Sequence, residues 1–181
     1  ERFWEDGCTQ LTANNYRQLH TPGNTLVDST IDAFQAIVRR TSAVVGLSNL
    51  YHTNNEMSRK HITSCNAAHA SRTKYAQIMI NPGHFTLLLG AEAQAIYICS
   101  MNWYPGPDDL KTMGHILCTQ LQPKMTVTRG HVVKQTKQEC GFRTCWALAL
   151  FATGHPVGEI LSLNPPCHSV GYDWLFRCLL E

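Results

Sequence analysis

A run of apolar, helix-forming residues near the C-terminus constrains the fold of this chain more than any other feature. The run begins at Cys140, directly after Glu139, and continues to Ala152, with Gly154 close behind it. Glycine just past the last apolar residue is a common helix stop. A helix that is apolar on nearly all sides has to be buried. We therefore expect a buried helix that begins at Cys140.

The position of Cys140 at a helix start favours nucleophilic chemistry. Only the thiolate is a good nucleophile, and a helix N-terminus or a nearby imidazole lowers a thiol pKa from its usual value of about 8.5. An arbitrary cysteine is more often a buried structural residue. The function of Cys140 therefore depends on which other groups the chain places beside it.

The size and composition of the chain indicate one folded domain. A chain of 181 residues is long enough to bury roughly 70% of its unfolded surface. Hydrophobic residues make up 44% and charged residues 15%, which excludes a disordered chain and a coiled coil. The net charge of +2 gives no reason to expect nucleic acid or an anionic membrane as a partner. We expect a monomeric single domain, residues 1–181, and no cofactor.

The sequence shows no signal peptide and no segment long enough to span a membrane. Apolar stretches such as Trp146 to Ala152 are far shorter than a membrane-spanning helix. The first residue is Glu1 rather than methionine, and we interpret the chain as a domain excised from a longer polypeptide.

The eight cysteines contain no C-x-x-C pair. A secreted disulfide scaffold is usually smaller and denser in cysteine, so we expect reduced thiols in the cytoplasm or nucleus, or in the host cytoplasm if the protein is viral. Cys65 and His69, with His61 nearby, have the ligand types of a zinc site but lack a second pair at a finger-like spacing. We therefore predict no metal site.

The order of hydrophobic patterns predicts an α+β fold. We expect amphipathic helices at 25–39, capped by Asp28 or Ser29, and at 108–118, capped by Pro107-Asp108. Strands are predicted at 75–80, 85–89 and 95–99, with a further strand formed by 125–128 and 131–133. Consecutive strands joined by short turns predict a largely antiparallel sheet, against which the Cys140 helix packs.

His84 is the best candidate for a general base beside Cys140. It follows Asn81-Pro82-Gly83 at the start of a predicted strand, where its ring could project from the edge of the sheet. His115 lies within a predicted helix, and His131 lies in the approach to Cys140. Nucleophilic cysteine catalysis also needs a group that orients the base and donors for the oxyanion. Gln135 supplies an amide donor shortly before Cys140.

Taken together, these motifs resemble those of the ubiquitin-like-protein (SUMO) proteases and their relative adenain, in which the catalytic order is His, Asp, Gln, Cys. Leu26–Ile31 resembles an early W-L-x-D-x-x-I segment of that family. Ile78–Asn81 and His84–Leu87 resemble its strand and its H-W-x-L motif. Ile98–Asn102 resembles the turn that carries the acid, and Glu139–Gly141 resembles the D-C-G. The resemblance extends from about residue 26 to residue 155.

The resemblance implies a cysteine peptidase that cleaves peptide or isopeptide bonds after small residues, often Gly-Gly. Cys140 would be the nucleophile, His84 the base, and Gln135 with the Cys140 backbone N–H the oxyanion donors. Trp103 and Phe85 would line a narrow substrate tunnel. The implied fold is α+β, with a central, mostly antiparallel sheet packed around a buried helix that begins at the catalytic cysteine. The implied substrate is a ubiquitin-like modifier or a polyprotein.

Two positions depart from the family pattern. Cys99 stands where the acid is expected, and a thiol cannot stabilise an imidazolium as a carboxylate does. Asn102 could orient the ring of His84, as the amide does in papain-like Cys-His-Asn sites; otherwise the site is a Cys-His dyad. Gln135 is also one or two residues closer to the cysteine than the family's glutamine.

Other classes fit the sequence less well. A viral chymotrypsin-like protease has its cysteine in a Gly-x-Cys-Gly turn between strands, whereas here residue 138 is Gln and a helix pattern follows. Papain-like enzymes place Cys before His. The sequence also allows an inactive relative that only binds a ubiquitin-like protein or a polyprotein. Selective alkylation of Cys140 at pH 6–7 would distinguish an active site from such a binding module.

Overall fold

The computed structural model describes residues 12–20, 25–47, 73–81, 83–91, 94–117, 127–135 and 138–180. In chain order the elements are α1 (Ala13–His20), α2 (Asp28–Thr41), β1 (Val45–Gly46), β2 (Tyr75–Asn81), β3 (His84–Ala91), β4 (Gln94–Ile98), α3 (Pro107–Leu117), β5 (Val127–Gly130), α4 (Cys140–Ala152), α5 (Val157–Ser162) and α6 (His168–Leu180).

The strands form one mixed sheet in the order β1-β2-β3-β4-β5. Strands β2, β3 and β4 are successive antiparallel neighbours, with Asn81 opposite His84 and Leu87 opposite Ile98. The short strands β1 and β5 add to the two edges in parallel. The prediction of an α+β fold with a mostly antiparallel central sheet is confirmed.

Every residue of β3 except Ala91 is buried, so both faces of this strand are covered. One face carries Phe85, Leu87 and Ile98 and packs in the same core cluster as Phe142 and Leu148 of α4. The other face carries a second cluster, which includes Leu88 and Tyr97 of the sheet and Met113 of α3. Neighbouring residues along β3 thus point into different cores, as the two-residue period of a strand requires.

Helix α4 matches the prediction at both ends. It begins at Cys140 and ends at Ala152. Gly154 has φ +101°, a left-handed conformation that favours glycine, and the N–H of His155 donates to the carbonyl of Leu150 at 3.0 Å. These features are typical of a glycine-terminated helix end.

The start of α2 differs from the prediction. The helix begins at Asp28 rather than residue 25, and neither Asp28 nor Ser29 makes the predicted capping bond, because the N-cap is Val27. The carbonyl of Val27 accepts from the N–H of Thr30 at 3.0 Å, so backbone groups close the first turn.

The last strand also ends earlier than predicted, and residues 125 and 126 of the predicted strand lie outside the described residues. Strand β5 ends at Gly130, and residues 131–135 lie outside the sheet. The amide side chain of Asn102 donates to the carbonyl of Val132 at 2.8 Å and accepts from its N–H at 3.1 Å. The prediction of strand at 131–133 was wrong because the polar groups of Val132 bond to a side chain instead of a neighbouring strand.

Candidate active site

The first turn of α4 packs directly on the start of β3. A Cβ atom added at Gly141 would lie 3.0 Å from Cβ of Leu26 and 3.3 Å from Cδ2 of Phe85. Only glycine allows this close approach without a shift of its neighbours. The contact brings Cys140, the residue before Gly141, next to the strand that begins with His84.

Burial raises the pKa of the Cys140 thiol, whose side chain is almost fully enclosed. The neighbouring Cys99 acts in the same direction, while the backbone N–H groups of Phe85, Gly141 and Cys140 itself oppose the shift. These N–H groups include those of the helix start, so the stabilisation of a thiolate predicted from the helix is present. The expected net lowering of the pKa is nevertheless wrong, because desolvation disfavours the charged form more strongly.

His84 is the first residue of β3 and is 8% exposed. Its Nε2 atom lies 3.2 Å from Sγ of Cys99, and its ring centroid lies 5.2 Å from that of Trp103. The two contacts fix both the in-plane direction and the tilt of the imidazole. His84 is therefore held in a defined orientation rather than exposed on a turn.

Burial lowers the pKa of His84, and the carboxylate of Asp109 opposes this shift. The raised pKa of Cys140 and the lowered pKa of His84 together favour an uncharged thiol and an uncharged imidazole in the resting protein. In such a pair the imidazole acts as a general base during attack.

The residue that contacts Nε2 of His84 is Cys99, not Asn102. Both ends of the Asn102 amide bond to the backbone of Val132, and Asn102 has φ +57°, a conformation that asparagine tolerates better than most residues. The expectation that Asn102 orients His84 is corrected on these contacts. The structure assigns that position to Cys99, which occupies the place of the family's acid.

This geometry predicts a ranking of two variants. Cys99→Ala should lower kcat roughly 10-fold or more, because His84 loses the contact that holds its ring, and supporting groups of this kind act over about one to three orders of magnitude. Asn102→Ala should act mainly on the 131–135 segment and lower the unfolding temperature. Steady-state kinetics and thermal melts of both variants separate the two effects. Normal kcat in Cys99→Ala with a large kcat loss in folded Asn102→Ala would reverse the assignment.

Gln135 is held close to the same turn through Ser100. The Oγ of Ser100 donates to Oε1 of Gln135, and the backbone N–H of Gln135 donates to the carbonyl of Ser100 at 2.9 Å. With Oε1 occupied, the N–H₂ group is the part of the amide that remains as a donor. The structure thus places Gln135 beside the residue that follows Cys99. Ser100 was not singled out from the sequence.

The segment that carries Gln135 is also attached to α4. Nη1 of Arg143 donates to the carbonyl of Val133 at 2.6 Å, while Nε and Nη2 of Arg143 both lie 3.1 Å from Oε2 of Glu139. Glu139 directly precedes Cys140. A single side chain therefore links the first turn of the helix to the Gln135 segment.

The two residues expected to line the substrate tunnel have different environments. Trp103 is 55% exposed beside the ring of His84, a position compatible with contact to a substrate. Phe85 is 3% exposed and packs in the core against α4. The expectation for Phe85 is wrong, because its side chain is enclosed in the core and leaves no surface for a substrate.

A buried carboxylate close to the site was also missed from the sequence. Asp109 of α3 is 3% exposed and accepts hydrogen bonds from Thr86, Tyr97 and the backbone N–H of Gly106. The sequence presented it only as part of a helix start. The alternation of polar side chains on β3 and β4, with His84 two positions before Thr86 and Cys99 two after Tyr97, is the signal that could have identified a polar cluster.

The described residues contain no group of three or more His, Cys, Asp or Glu side chains that could hold a metal ion. Cys65, His61 and His69, which were considered for zinc, lie outside the described residues. Within the part of the chain that the structure describes, no helix has the length and apolar character needed to cross a membrane.

No protein-family model matches the sequence, and comparison with curated proteins gives no match either. Solved structures do match. The SUMO protease Ulp1 with its catalytic cysteine oxidised to a sulfinic acid has a TM-score of 0.67 at 14% sequence identity, covering 94% of this chain and 83% of that one. The Ulp1 protease domain in complex with Smt3, the yeast ortholog of SUMO, has a TM-score of 0.65 at 12% identity, covering 95% and 86%.

A viral enzyme is also similar. The ASFV protease has a TM-score of 0.59 at 12% identity, covering 90% of this chain and 68% of that one. At these identities the likeness establishes the fold. The chain has the α+β fold of the Ulp1-like SUMO proteases, as its sequence motifs predicted.

Proposed function

We propose that this protein is a cysteine peptidase with Cys140 as nucleophile and His84 as general base. The observation that carries the proposal is the meeting of the α4 N-terminus with the start of β3. There Gly141, the residue after Cys140, packs against Phe85, the residue next to an oriented His84. The fold shared with SUMO proteases and with a viral protease supports this assignment.

The proposed reaction begins with attack of the Cys140 sulfur on the carbonyl carbon of the scissile bond. Because Nε2 of His84 faces Cys99, Nδ1 is the nitrogen that takes the thiol proton. The Gln135 amide and the Cys140 backbone N–H stabilise the oxyanion. His84 then gives the proton to the leaving amine as the C–N bond breaks, leaving a thioester. Water, deprotonated by His84, hydrolyses the thioester and regenerates the thiol.

The proposed substrate is a ubiquitin-like protein that ends in Gly-Gly, cut from a precursor or from a conjugated lysine. The complex of the Ulp1 domain with Smt3 supports this substrate class, and the exposure of Trp103 beside His84 supports its contact with the chain before the scissile bond. Deubiquitination and the processing of a viral or mobile-element polyprotein are variants of the same chemistry. Reaction with a ubiquitin probe, with a SUMO probe or only with peptides distinguishes these substrates.

The first test is labelling by C-terminal electrophiles of ubiquitin and SUMO, followed by kinetics on matched peptides. We expect adduct formation at Cys140 with Gly-Gly probes. Replacing the last glycine by Val or Leu should lower kcat/KM at least about tenfold, since a side chain that does not fit costs more than the ~1–3 kcal/mol of one methylene. Intact mass spectrometry and peptide mapping identify the labelled residue. Equal turnover of Gly-Gly and Leu-Leu substrates would remove the ubiquitin-like substrate class.

A second candidate function is non-catalytic binding of a ubiquitin-like protein or polyprotein. Cys99 in place of an acid and the raised pKa of the Cys140 thiol favour this alternative. Iodoacetamide at pH 6–7 separates the two functions. An activated Cys140 is alkylated well before exposed Cys167, whereas an inactive relative shows the reverse order.

A reducing compartment, cytoplasmic or nuclear, is part of the proposal. It is supported by the buried, free thiols of Cys99, Cys140 and Cys145, and by the need of the mechanism for a reduced Cys140.

A further inference from the structure

The buried carboxylate of Asp109 lies on the same side of the sheet as His84. Its Oδ1 accepts from Oγ1 of Thr86 at 3.2 Å, and its Oδ2 accepts from Oη of Tyr97 at 3.0 Å and from the N–H of Gly106 at 3.0 Å. Side chains two apart on a strand point to the same face. Thr86 therefore shares a face with His84, and Cys99, just past the end of β4, packs in the same core cluster as Tyr97.

The hydrogen bonds place Asp109 behind the His84–Cys99 pair. Thr86 belongs to β3, which begins at His84, and Tyr97 belongs to β4, which Cys99 directly follows; Asp109 bonds to both. Burial raises the pKa of Tyr97, and Asp109 and Cys99 raise it further, so the phenol stays protonated and acts as a donor. The carboxylate is thus fixed from three directions by neutral donors.

Asp109 has no cationic partner among the residues that the structure describes. A buried carboxylate without a counter-ion is costly. Its field is also screened far less than that of a surface carboxylate. When the ring of His84 is protonated, its positive charge serves as the counter-ion of Asp109.

We propose that Asp109 supplies the negative charge that Cys99 lacks: Cys99 orients the imidazole of His84, and Asp109 stabilises its protonated form from behind. The role of the usual acid is thereby divided between two residues on different elements. This inference rests on the proposed function for its catalytic meaning, but the electrostatic coupling between Asp109 and His84 is measurable whether or not the protein cleaves a substrate.

Two ionisable groups act directly on His84: Cys99, which follows β4, contacts its Nε2, and Asp109 of α3 acts on its charge. Tyr97 of β4 and Cys140 of α4 lie in the same neighbourhood, because each interacts with Cys99. Arg129 of β5 is directed to the ring of Tyr104, to the carbonyl of Asn102 and to His131. Of these groups, Asp109 raises the pKa of His84, while burial lowers it.

The main test is Asp109→Asn, which removes the charge and keeps the shape. The pKa of His84, read from its imidazole resonances by NMR, should fall, and the acid limb of the Cys140 alkylation rate should move to lower pH, since a neutral base persists further into acid. We expect kcat to fall about tenfold, because the imidazolium formed during attack is less stable. An unchanged His84 titration in folded Asp109→Asn would overturn the proposal.

Three further variants separate charge from structure. Thr86→Val and Tyr97→Phe each remove one hydrogen bond but keep the carboxylate, so the pKa of His84 should not fall in either. A fall equal to that of Asp109→Asn would mean that packing rather than charge is responsible. Asp173→Asn removes a carboxylate from α6 whose side chain is 62% exposed and paired with Arg177, and it should leave the His84 titration unchanged.

A measurement on the unmodified protein covers the case in which Asp109→Asn does not fold. Coupling between two sites is reciprocal, so the carboxyl ¹³C resonance of Asp109 should shift at the pH where His84 titrates, and His84→Gln should abolish that shift. Its absence would overturn the proposal. If the two groups are coupled but the protein shows no peptidase activity, the Asp109–His84 interaction stands and the proposed function is rejected.

Discussion

Replacing Cys140 by alanine is expected to abolish hydrolysis, with a loss of at least about 10⁴-fold in kcat, because removal of a nucleophile leaves only binding and oxyanion stabilisation. The fold should persist, since the substitution removes a single sulfur from the first turn of α4. Hydrolysis of a Gly-Gly substrate, followed to the detection limit, and circular dichroism of the variant provide the two measurements.

Cys145→Ala is the matched control for this prediction. Cys145 lies further along α4, is fully buried, and has a thiol pKa raised well above its usual value by burial, so it is chemically inert. Its replacement should cost roughly 1 kcal/mol of stability and leave kcat nearly unchanged. If Cys140→Ala retained more than a few per cent of activity while Cys145→Ala lost it, the nucleophile would be misassigned.

His84→Gln should lower kcat by about 10²- to 10⁴-fold, the range that general acid–base catalysis contributes. Glutamine keeps a polar group near Cys99 but cannot carry a proton from Cys140 to the leaving amine. The remaining rate should also lose its acid limb, because the group that titrates there is absent. Rate profiles between pH 5 and 9 and the rate of Cys140 alkylation are the measurements.

His155→Gln serves as the comparison for this variant. His155 follows the end of α4 and pairs with Glu159 at 3.3 Å, with 39% of its side chain exposed. Its loss should leave the rate profile unaltered. A folded His84→Gln protein with a near-normal profile would assign the base to another group.

Much of the fold could be predicted because each element has a strong local pattern. The apolar run after Cys140 allowed only a buried helix, and short turns between 75 and 99 allowed only antiparallel neighbours. The predicted strands at 75–80, 85–89 and 95–99 lie within or overlap β2, β3 and β4. The register and the parallel edge strands depend on contacts between distant residues, which no local pattern contains.

The site was less predictable for the same reason. Asn102 and Cys99 lie in one turn, and an amide is the more familiar partner for histidine, so chemistry alone favoured Asn102. In the structure that amide bonds to the backbone of Val132, which is 30 residues away. The residues around Asn102 in the sequence give no sign of this contact. Phe85 was misplaced because it was judged by its closeness to His84 in the sequence, although adjacent residues of a strand point to opposite faces. Asp109 was taken for a helix-start residue because a carboxylate in a first turn is usually solvated.

The attachment of residues 132–135 has a consequence for the entropy of binding. Val132 is held at both of its polar groups by Asn102, Val133 by Arg143, and Gln135 by Ser100. An oxyanion donor on a flexible loop would have to be ordered each time a substrate arrives, at a cost of about 0.5–1.5 kcal/mol for each immobilised side chain. Gln135, the oxyanion donor that we propose, is already held by Ser100 when the chain folds, so substrate binding carries no such ordering cost for this residue.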